Sequence, residues 1–377
     1  MSRYNHSTSP FTAGTGGARE ATSAAVNFEL YFVYPGDLDT HTGGYAYDKR
    51  LIDELGLLGL CVNPVSLPQC SLNMSPAARL MVQEQLSAIP DGSVVVIDGL
   101  ALGVLDRETT EVRHRLRLIA LCHHPLALES GLNPSQQSWL FESERRALAN
   151  VYATLVTSDN TRRILTRDFT VSEDTITVAV PGTDRRGFAE CKGRPTCLLT
   201  VASLTQRKAH DILISALADL AGLDWQARFV GGDHFDKDWA QILRKQVAKE
   251  KLESRIHFAG LVPDVDIEYQ QADVFVLPSR FEGYGMVFAE ALSAGLPIIA
   301  TRAGAVPDLV PDTAGLLVAP DNPGALAEAI HSVLTADGLR QQLQTGARAC
   351  AEKLPTWRES AEKVFNLLRE VSQNDRL

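Results

Sequence analysis

Two glutamates on either side of a glycine-bearing turn are the residues whose types and spacing best fit a chemical role. Glu282 and Glu290 lie in the segment PSRFEGYGMVFAEAL at 278–292, with seven residues between them. An apolar strand is predicted to end at Leu277 and a helix to start near Met286. Free N–H groups at a helix start bind anions, and ionised carboxylates accept hydrogen bonds from hydroxyl groups. The segment therefore predicts a site for a phosphate or a polar sugar.

The residues around the two glutamates extend this pattern. Gly283 and Gly285 leave room for a ligand to approach the backbone. The sequence continues with AGLP at 294–297, GAVPD at 304–308 and AGLLV at 314–318, and Trp357 opens a final amphipathic helix. In this order the features resemble the family-4 group of retaining glycosyltransferases, whose hallmark is two glutamates separated by seven residues. The resemblance is strong across 195–370, weaker but continuous across 28–185, and implies the GT-B fold.

The resemblance implies a role for each residue of the glutamate segment. Glu290 would bind the ribose hydroxyls of a nucleotide, and Glu282 would hold a hydroxyl of the transferred sugar. Backbone amides would meet the sugar and the phosphate. These amides belong to Gly283, Tyr284, Gly285 and Met286. Without the resemblance, a solvated turn residue at Glu282 and a surface helix residue at Glu290 would be equally good interpretations.

A second element, TQRKAH at 205–210, lies between a predicted strand and a predicted helix. Members of the family usually carry an arginine just after this strand and a lysine further on, and both bind the pyrophosphate. Lys208 fits the lysine position, whereas Ser203 stands at the arginine position and departs from the family. Arg207 either supplies the missing charge or is a surface residue at a helix start, and both interpretations stay open.

The first half of the chain carries two further elements. Gly43 and Gly44 follow Thr42 between the first strand and the first helix, and they resemble the acceptor-side loop of the family. The alternative is a plain pair of turn glycines. His123 and His124 follow a buried strand, and in the family a histidine at this strand end faces the reacting sugar. The spacing favours His123, with His124 and a purely structural role left open.

A metal site is not expected from these residues. His123, His124 and Glu129 lack the usual ligand spacing, so we predict no metal and no other cofactor. Asp98, at the end of the preceding strand, either faces the acceptor or serves a local turn.

Alternating strands and helices must position these residues. Apolar runs predict strands at 28–34, 93–97, 116–122, 155–158, 196–202, 226–230, 256–259, 274–277 and 297–301. Helical spacing predicts helices at 44–60, 142–152, 208–220, 239–251, 287–294 and 324–336. The segment 64–90 is too irregular to assign. The alternation predicts an α/β protein with two Rossmann-like parallel-sheet domains that face each other across a cleft.

The length of 377 residues suits two domains. We predict a mobile tail at 1–26, an acceptor-side domain at 27–185 and a nucleotide-sugar-binding domain at 186–355. A helix at 356–377 is predicted to cross back to the first domain. The motif GTGG at 14–17 falls in the predicted tail, where a flexible segment explains it better than a phosphate loop.

Charge and hydropathy limit the partners. The net charge of −10 argues against nucleic acid as the main partner. The sequence lacks an apolar run long enough for a membrane helix, and its start lacks the apolar core of a signal peptide. We expect a cytoplasmic protein, with peripheral contact at the inner face of the membrane left open. The oligomeric state is not given by the sequence.

The resemblance predicts a metal-independent, retaining hexosyltransferase. The donor would be a nucleotide-diphosphate sugar, a UDP-sugar before GDP-mannose, and the acceptor a small molecule, a glycan or a lipid. His123, Glu282 and Lys208 would act at the reacting groups. The alternatives are a catalytically silent protein that binds nucleotide sugars and a nucleotide-sugar epimerase.

Overall fold

The computed structural model describes residues 28–129 and 131–373. Its strands are β1 (Glu29–Pro35), β2 (Cys61–Leu67), β3 (Val94–Asp98), β4 (Arg117–Cys122), β5 (Ala153–Val156), β6 (Ile176–Val178), β7 (Thr196–Val201), β8 (Trp225–Val230), β9 (Ile256–Gly260), β10 (Val274–Leu277), β11 (Ile298–Thr301) and β12 (Gly315–Val318). Its helices are α1 (Gly43–Leu57), α2 (Pro76–Ala88), α3 (Gly99–Leu102), α4 (Asp106–Val112), α5 (Pro134–Leu148), α6 (Asp159–Asp168), α7 (His210–Asp219), α8 (Lys237–Lys249), α9 (Val265–Gln271), α10 (Met286–Ser293), α11 (Val306–Leu309), α12 (Pro323–Thr335), α13 (Asp337–Ala351) and α14 (Trp357–Ser372). The tail predicted at 1–26, with its GTGG motif, lies outside the described residues.

The strands form two parallel sheets of six strands each. The first sheet has the order β2-β1-β3-β4-β5-β6, and the second has the order β12-β11-β10-β7-β8-β9. The strand order therefore reverses beside β1 in the first sheet and between β7 and β10 in the second. Open α/β sheets bind ligands outside the carboxyl ends of their strands at such a switch point. The topology thus marks the loops after β1, β3, β7 and β10.

Helices cover both faces of each sheet. In the first domain α2, α4, α5 and α6 pack on one face, and α1 and α14 pack on the other. In the second domain α7, α8 and α12 cover one face, and α9, α10 and α13 cover the other. All residues of β3, β5, β10 and β11 are buried, as their continuous apolar runs predict.

The last helix, α14, packs against the first domain. Trp357, Val364 and Leu368 are buried in the same cluster as side chains of β1 and α1. The helix begins with a capping box, in which Thr356 Oγ1 accepts from the amide of Glu359 and the Glu359 carboxylate accepts from the amide of Thr356. Among the described residues, no helix is long and apolar enough to span a bilayer.

Several stretches of the first domain differ from the sequence predictions, which also left α3, α4, α6 and β6 unassigned. The segment 64–90, which we could not assign, contains part of β2 and all of α2. Pro64 is tolerated because β2 is an edge strand, and Ser75 caps α2 by accepting from the amide of Ala78. The helix predicted at 142–152 is α5, which begins at Pro134 behind an Asn133–Gln136 capping box. Both helices carry N-terminal signals that a search for apolar periodicity alone overlooks.

Candidate active site

The site lies where the carboxyl ends of the two sheets face each other. The loop after β1 leads into α1 at Gly43, and the loop after β10 leads into α10 at Met286. A Cβ atom placed on Gly43 would lie 4.0 Å from Met286 Sδ, so the two helix starts approach each other. Thr42 Oγ1 caps α1 by accepting from the amide of Tyr45. The positive ends of two helices are therefore close together at one place in the cleft.

The cleft is closed at this point by backbone contact. Ser158, the N-cap of α6, donates through Oγ to the carbonyl of Gly283 at 2.5 Å. A Cβ atom on Gly283 would lie 2.2 Å from the carbonyl oxygen of His123, so only glycine permits this approach. Arg163 of α6 and Asp308 of α11 add an ion pair at 2.7 Å. The loop after β10 and the end of β4 thus form opposite walls of one site.

Glu282 lies in the loop after β10 and is only 4% exposed. Its Oε1 accepts hydrogen bonds from Lys208 Nζ and Ser279 Oγ, both at 2.6 Å. Its Oε2 lies 3.4 Å from Arg207 Nη1. Burial alone would raise the pKa of Glu282, but the two cations outweigh this effect and hold that pKa below its ordinary value. Glu282 is therefore an ionised carboxylate with both oxygens engaged.

Lys208 and Arg207 come from the single 3₁₀ turn Gln206–Lys208 that precedes α7. Burial lowers the pKa of Lys208, and contact with Glu282 offsets part of this effect. Arg207 also bonds the carbonyl of Phe281 at 3.2 Å and pairs with Glu129 at 3.2 Å across the cleft. Its guanidinium therefore lies inside the site. Ser203, at the position where an arginine was expected, is partly buried in the loop after β7.

Glu290 lies on α10, about one turn beyond the start of the helix at Met286. Its Oε2 accepts a hydrogen bond from the hydroxyl of Tyr269 on α9 at 2.7 Å. Burial raises the pKa of Glu290, and the cation of Arg186 limits the rise. Glu282 and Glu290 therefore differ in environment, because one carboxylate is ion-paired and the other is held by a phenol beside a cation.

His123, at the end of β4, is held by two buried carboxylates. Its Nε2 lies 2.9 Å from Asp48 Oδ1 and 3.4 Å from Asp98 Oδ2. Burial acts against the imidazolium, but both carboxylates outweigh it and raise the pKa of His123 to about 10. A Cβ atom on Gly44 would lie 3.4 Å from the His123 ring. The site therefore holds a protonated imidazole beside the glycine loop. Asp98 has a second role, since its Oδ1 accepts from the amide of Leu100 and caps α3.

His124 is placed differently from His123. Its ring packs against Phe281 with centroids 4.4 Å apart, and neither ring nitrogen has a hydrogen-bond partner in the part of the chain that the structure describes. Burial lowers the pKa of His124 to about 4, so the ring is neutral. His124 thus packs between the domains, while His123 carries the charge.

Asp48, Asp98 and His123 offer three potential metal-ligand atoms within 4.8 Å of one another. The distance of 2.9 Å between His123 Nε2 and Asp48 Oδ1 fits a shared proton, and a hydrogen-bonded triad accounts for the cluster. Within 28–129 and 131–373, His123 and His124 do not form a ligand cluster with Glu129.

Sequence reasoning did not single out four residues of the site: Asp48, Ser279, Tyr269 and Arg186. Asp48 carried a signal, since it lies one turn after Gly44 on the apolar face of α1 with Leu51 and Leu55. A charged residue at that spacing is buried and needs a partner. Ser279 lies three residues before Glu282 and contacts it within one loop, whereas Tyr269 and Arg186 become site residues only through packing between distant elements.

Comparison with known proteins identifies relatives of this chain. Residues 185–349 match the sequence profile of the family described as Glycosyl transferases group 1. The chain is 26% identical over 253 residues to D-inositol 3-phosphate glycosyltransferase of Corynebacterium diphtheriae, a match that covers 62% of this chain and 59% of that protein. It is 36% identical over 115 residues to mannosylfructose-phosphate synthase of Agrobacterium fabrum, covering 28% of this chain and 25% of that protein. The chain thus spans less than two thirds of the length of either relative.

Solved structures share the fold over most of the chain. Sucrose-phosphate synthase from Thermosynechococcus elongatus superimposes with a TM-score of 0.76 at 19% identity, covering 91% of this chain and 99% of that chain. Anabaena HepE, in complex with UDP and glucose, superimposes with a TM-score of 0.73 at 17% identity, covering 90% of this chain and 99% of that chain. At these identities the likeness concerns the fold, and it confirms the predicted GT-B arrangement of two Rossmann-like domains.

Proposed function

From the premise that residues 185–349 form a glycosyl transferases group 1 domain within a GT-B fold, we propose that this protein transfers a hexose from a nucleotide-diphosphate sugar to a hydroxyl of an acceptor. The observation that carries the proposal is the meeting of Lys208, Arg207 and Glu282 opposite His123. Two cations suit a diphosphate, and an ionised carboxylate suits the hydroxyls of a sugar.

The donor would bind along the start of α10. Glu290 would accept hydrogen bonds from the ribose hydroxyls, and Glu282 would hold a hydroxyl of the transferred hexose. Backbone amides at the start of α10 would meet the sugar and the phosphates. These amides belong to Gly283, Tyr284, Gly285 and Met286. The separate environments of the two glutamates support this division between the two ends of one elongated ligand.

Lys208 and Arg207 would stabilise the diphosphate as it leaves. The pairing of Arg207 with Glu282 supports the view that its guanidinium replaces the arginine missing at Ser203. Loss of one such donor commonly costs about 10²–10³ in rate, so one replaced cation is enough to decide between an active and a weak enzyme.

On the opposite wall, the imidazolium of His123 would donate a hydrogen bond to the transferred sugar. Asp48 and Asp98 would fix the orientation of the ring. The loop with Gly43 and Gly44 would close over the donor phosphate, which the approach of Gly43 to α10 supports.

We infer that the transfer retains the anomeric configuration and needs no divalent metal. Both oxygens of Glu282 are engaged by Lys208, Ser279 and Arg207, so this carboxylate is a poor nucleophile. The bond between the anomeric carbon and the diphosphate oxygen breaks as the acceptor oxygen bonds to the same face. The departing phosphate oxygen takes the acceptor proton. The two cations and the helix start supply the positive charge that a metal ion would otherwise provide.

A UDP-sugar is the favoured donor, with GDP-mannose next. Anabaena HepE, which shares the fold, was solved in complex with UDP and glucose, and this supports a uridine nucleotide. The acceptor, a small molecule, a glycan or a lipid, would bind in the first domain near Asp98.

A catalytically silent protein that binds nucleotide sugars is the second candidate, and Ser203 is the observation that favours it. Nucleotide release separates the two. The protein is incubated with UDP-glucose, UDP-galactose, UDP-N-acetylglucosamine and GDP-mannose, and free nucleotide is measured with and without candidate acceptors. A transferase releases nucleotide from one donor and does so faster with acceptor. Lys208→Met slows this release by about 10²–10³, whereas Lys245→Met, at an exposed position, does not. Binding of a donor without release by the wild type would support the silent protein.

A further inference from the structure

Arg186 is a buried cation of the linker between β6 and β7 that the proposed mechanism does not use. Its side chain is only 9% exposed, and its Nε donates to Asp266 Oδ1 at 2.6 Å. Its Cζ lies 5.3 Å from the centroid of the Tyr269 ring. Its Nη1 is buried and has no hydrogen-bond partner within 28–129 and 131–373. An unmatched buried donor is unfavourable, so this nitrogen is a candidate for contact with a ligand.

The position of Arg186 points to the nucleotide end of the site. Tyr269, whose ring lies under the guanidinium, donates its hydroxyl to Glu290. The backbone amide of Arg186 donates to Ser293 Oγ at 3.2 Å, which fixes the linker to the same helix that carries Glu290. Asp266 is 47% exposed, so the rim of this cluster is open to solvent.

The charges around Arg186 keep it cationic. Burial by itself lowers the pKa of Arg186, but Glu290 and Asp266 outweigh burial and raise it. The charged or titratable groups that act on Glu290 are Arg186, Tyr269, Asp266 and Asp184. Arg186 is the only cation in that set, and together with the hydrogen bond from Tyr269 it favours the ionised form of Glu290.

We infer that Arg186 and Glu290 together select a ribonucleotide: Nη1 of Arg186 donates to a ribose hydroxyl whose own proton is accepted by Glu290. This inference rests on the proposed binding of a nucleotide at Glu290. A hydroxyl is both a donor and an acceptor, and this pair satisfies both capacities at once. A deoxyribose would leave one buried group on each side unmatched, and sites built around a hydroxyl discriminate strongly against analogues that lack it.

The test compares UDP with 2′-deoxy-UDP and 3′-deoxy-UDP by isothermal titration calorimetry. The proteins are the wild type, Arg186→Met and Arg186→Lys. The neighbouring Arg185→Met is the matched control, because Arg185 is exposed and donates only to the carbonyl of Glu352 among the bonds described for it. Arg186→Lys keeps the positive charge but removes the Nη1 donor, and it replaces Arg186→Met in the test if that variant does not fold.

We expect the wild type and Arg185→Met to bind one of the deoxy nucleotides about tenfold to a hundredfold more weakly than UDP. In Arg186→Met and Arg186→Lys the ratio of the dissociation constant of that deoxy nucleotide to the dissociation constant of UDP should fall by about fivefold or more. The reason is that a ribose without this hydroxyl no longer leaves an arginine unmatched. If both variants bind UDP more weakly but keep the wild-type ratios, Arg186 only positions Tyr269 and the inference is wrong. If the wild type binds neither UDP nor its analogues, the proposed uridine donor is wrong, which is a different outcome.

Discussion

Replacement of Gly283 by alanine tests whether the closed cleft is the reactive arrangement. The added Cβ atom would lie 2.2 Å from the carbonyl oxygen of His123, and ordinary contact begins at 3.4 Å. Because the obstacle is backbone at the end of β4, the two walls must separate by about 1.2 Å, the difference between these distances. A misplacement of about 1 Å commonly costs about 10²-fold in rate, or about 2.7 kcal/mol of transition-state stabilisation.

We expect Gly283→Ala to slow nucleotide release from the preferred donor about a hundredfold. The dissociation constant of the free nucleotide should stay within about threefold, because the contacts we propose for it, Glu290 and Arg186, belong to the second domain. The rate is followed by release of nucleotide and the affinity by calorimetry. Gly56→Ala is the control, since nothing lies within 4 Å of an added Cβ atom at that helical position. A Gly283→Ala enzyme with the wild-type rate would refute the view that this contact belongs to the reactive state.

Three further substitutions test other parts of the site. Asp48→Asn should lower the pKa of His123 from about 10 toward its ordinary value. The raised pKa stabilises the fold below about pH 6.5, and this stabilisation is lost as the pH rises through 10. NMR titration of the ring and unfolding between pH 7 and 10 both report the change, and an unchanged titration would contradict it. Lys208→Met should slow nucleotide release by about 10²–10³ and raise the pKa of Glu282, which pH-dependent unfolding measures; an unaltered rate would exclude Lys208 from the reaction. Gly304→Ala should lower the melting temperature, because Gly304 has φ +59 and an added Cβ atom would lie 2.0 Å from the carbonyl oxygen of Glu282. The left-handed conformation alone costs about 1–2 kcal/mol, and an unchanged melting temperature would contradict this packing.

The second half of the site could be predicted from the sequence because its information is local. The strand at 274–277 has the predicted bounds, and α10 begins at Met286 as expected. A continuous apolar run, a glycine turn and a helical repeat follow one another within a few residues, so each constrains the next. Glu282 and Glu290 were placed at the cleft by this local pattern together with the resemblance to the family, because two glutamates at this spacing are a weak signal by themselves.

The first half of the site depends on contacts that no local pattern encodes. Asp48 and His123 are separated by 75 positions, and their pairing exists only because α1 packs beside the end of β4. The second half contains one such contact as well, since Arg186 meets Tyr269 across 83 positions, the difference between their numbers in the sequence. Sequence reasoning could find a buried charge on an apolar helix face, but only tertiary packing identifies its partner.

The most direct test of a nucleotide site at Glu290 is thermal unfolding of the wild type and Glu290→Ala with UDP, GDP, ADP and dTDP. The exposed Glu328→Ala on α12 is the control. A ligand at 100 times its dissociation constant adds about 2.7 kcal/mol to the free energy of unfolding. We expect UDP to stabilise the wild type and Glu328→Ala, dTDP to do so much less, and Glu290→Ala to abolish the effect. Equal stabilisation of Glu290→Ala, or no stabilisation of the wild type by any of the four nucleotides, would contradict this expectation.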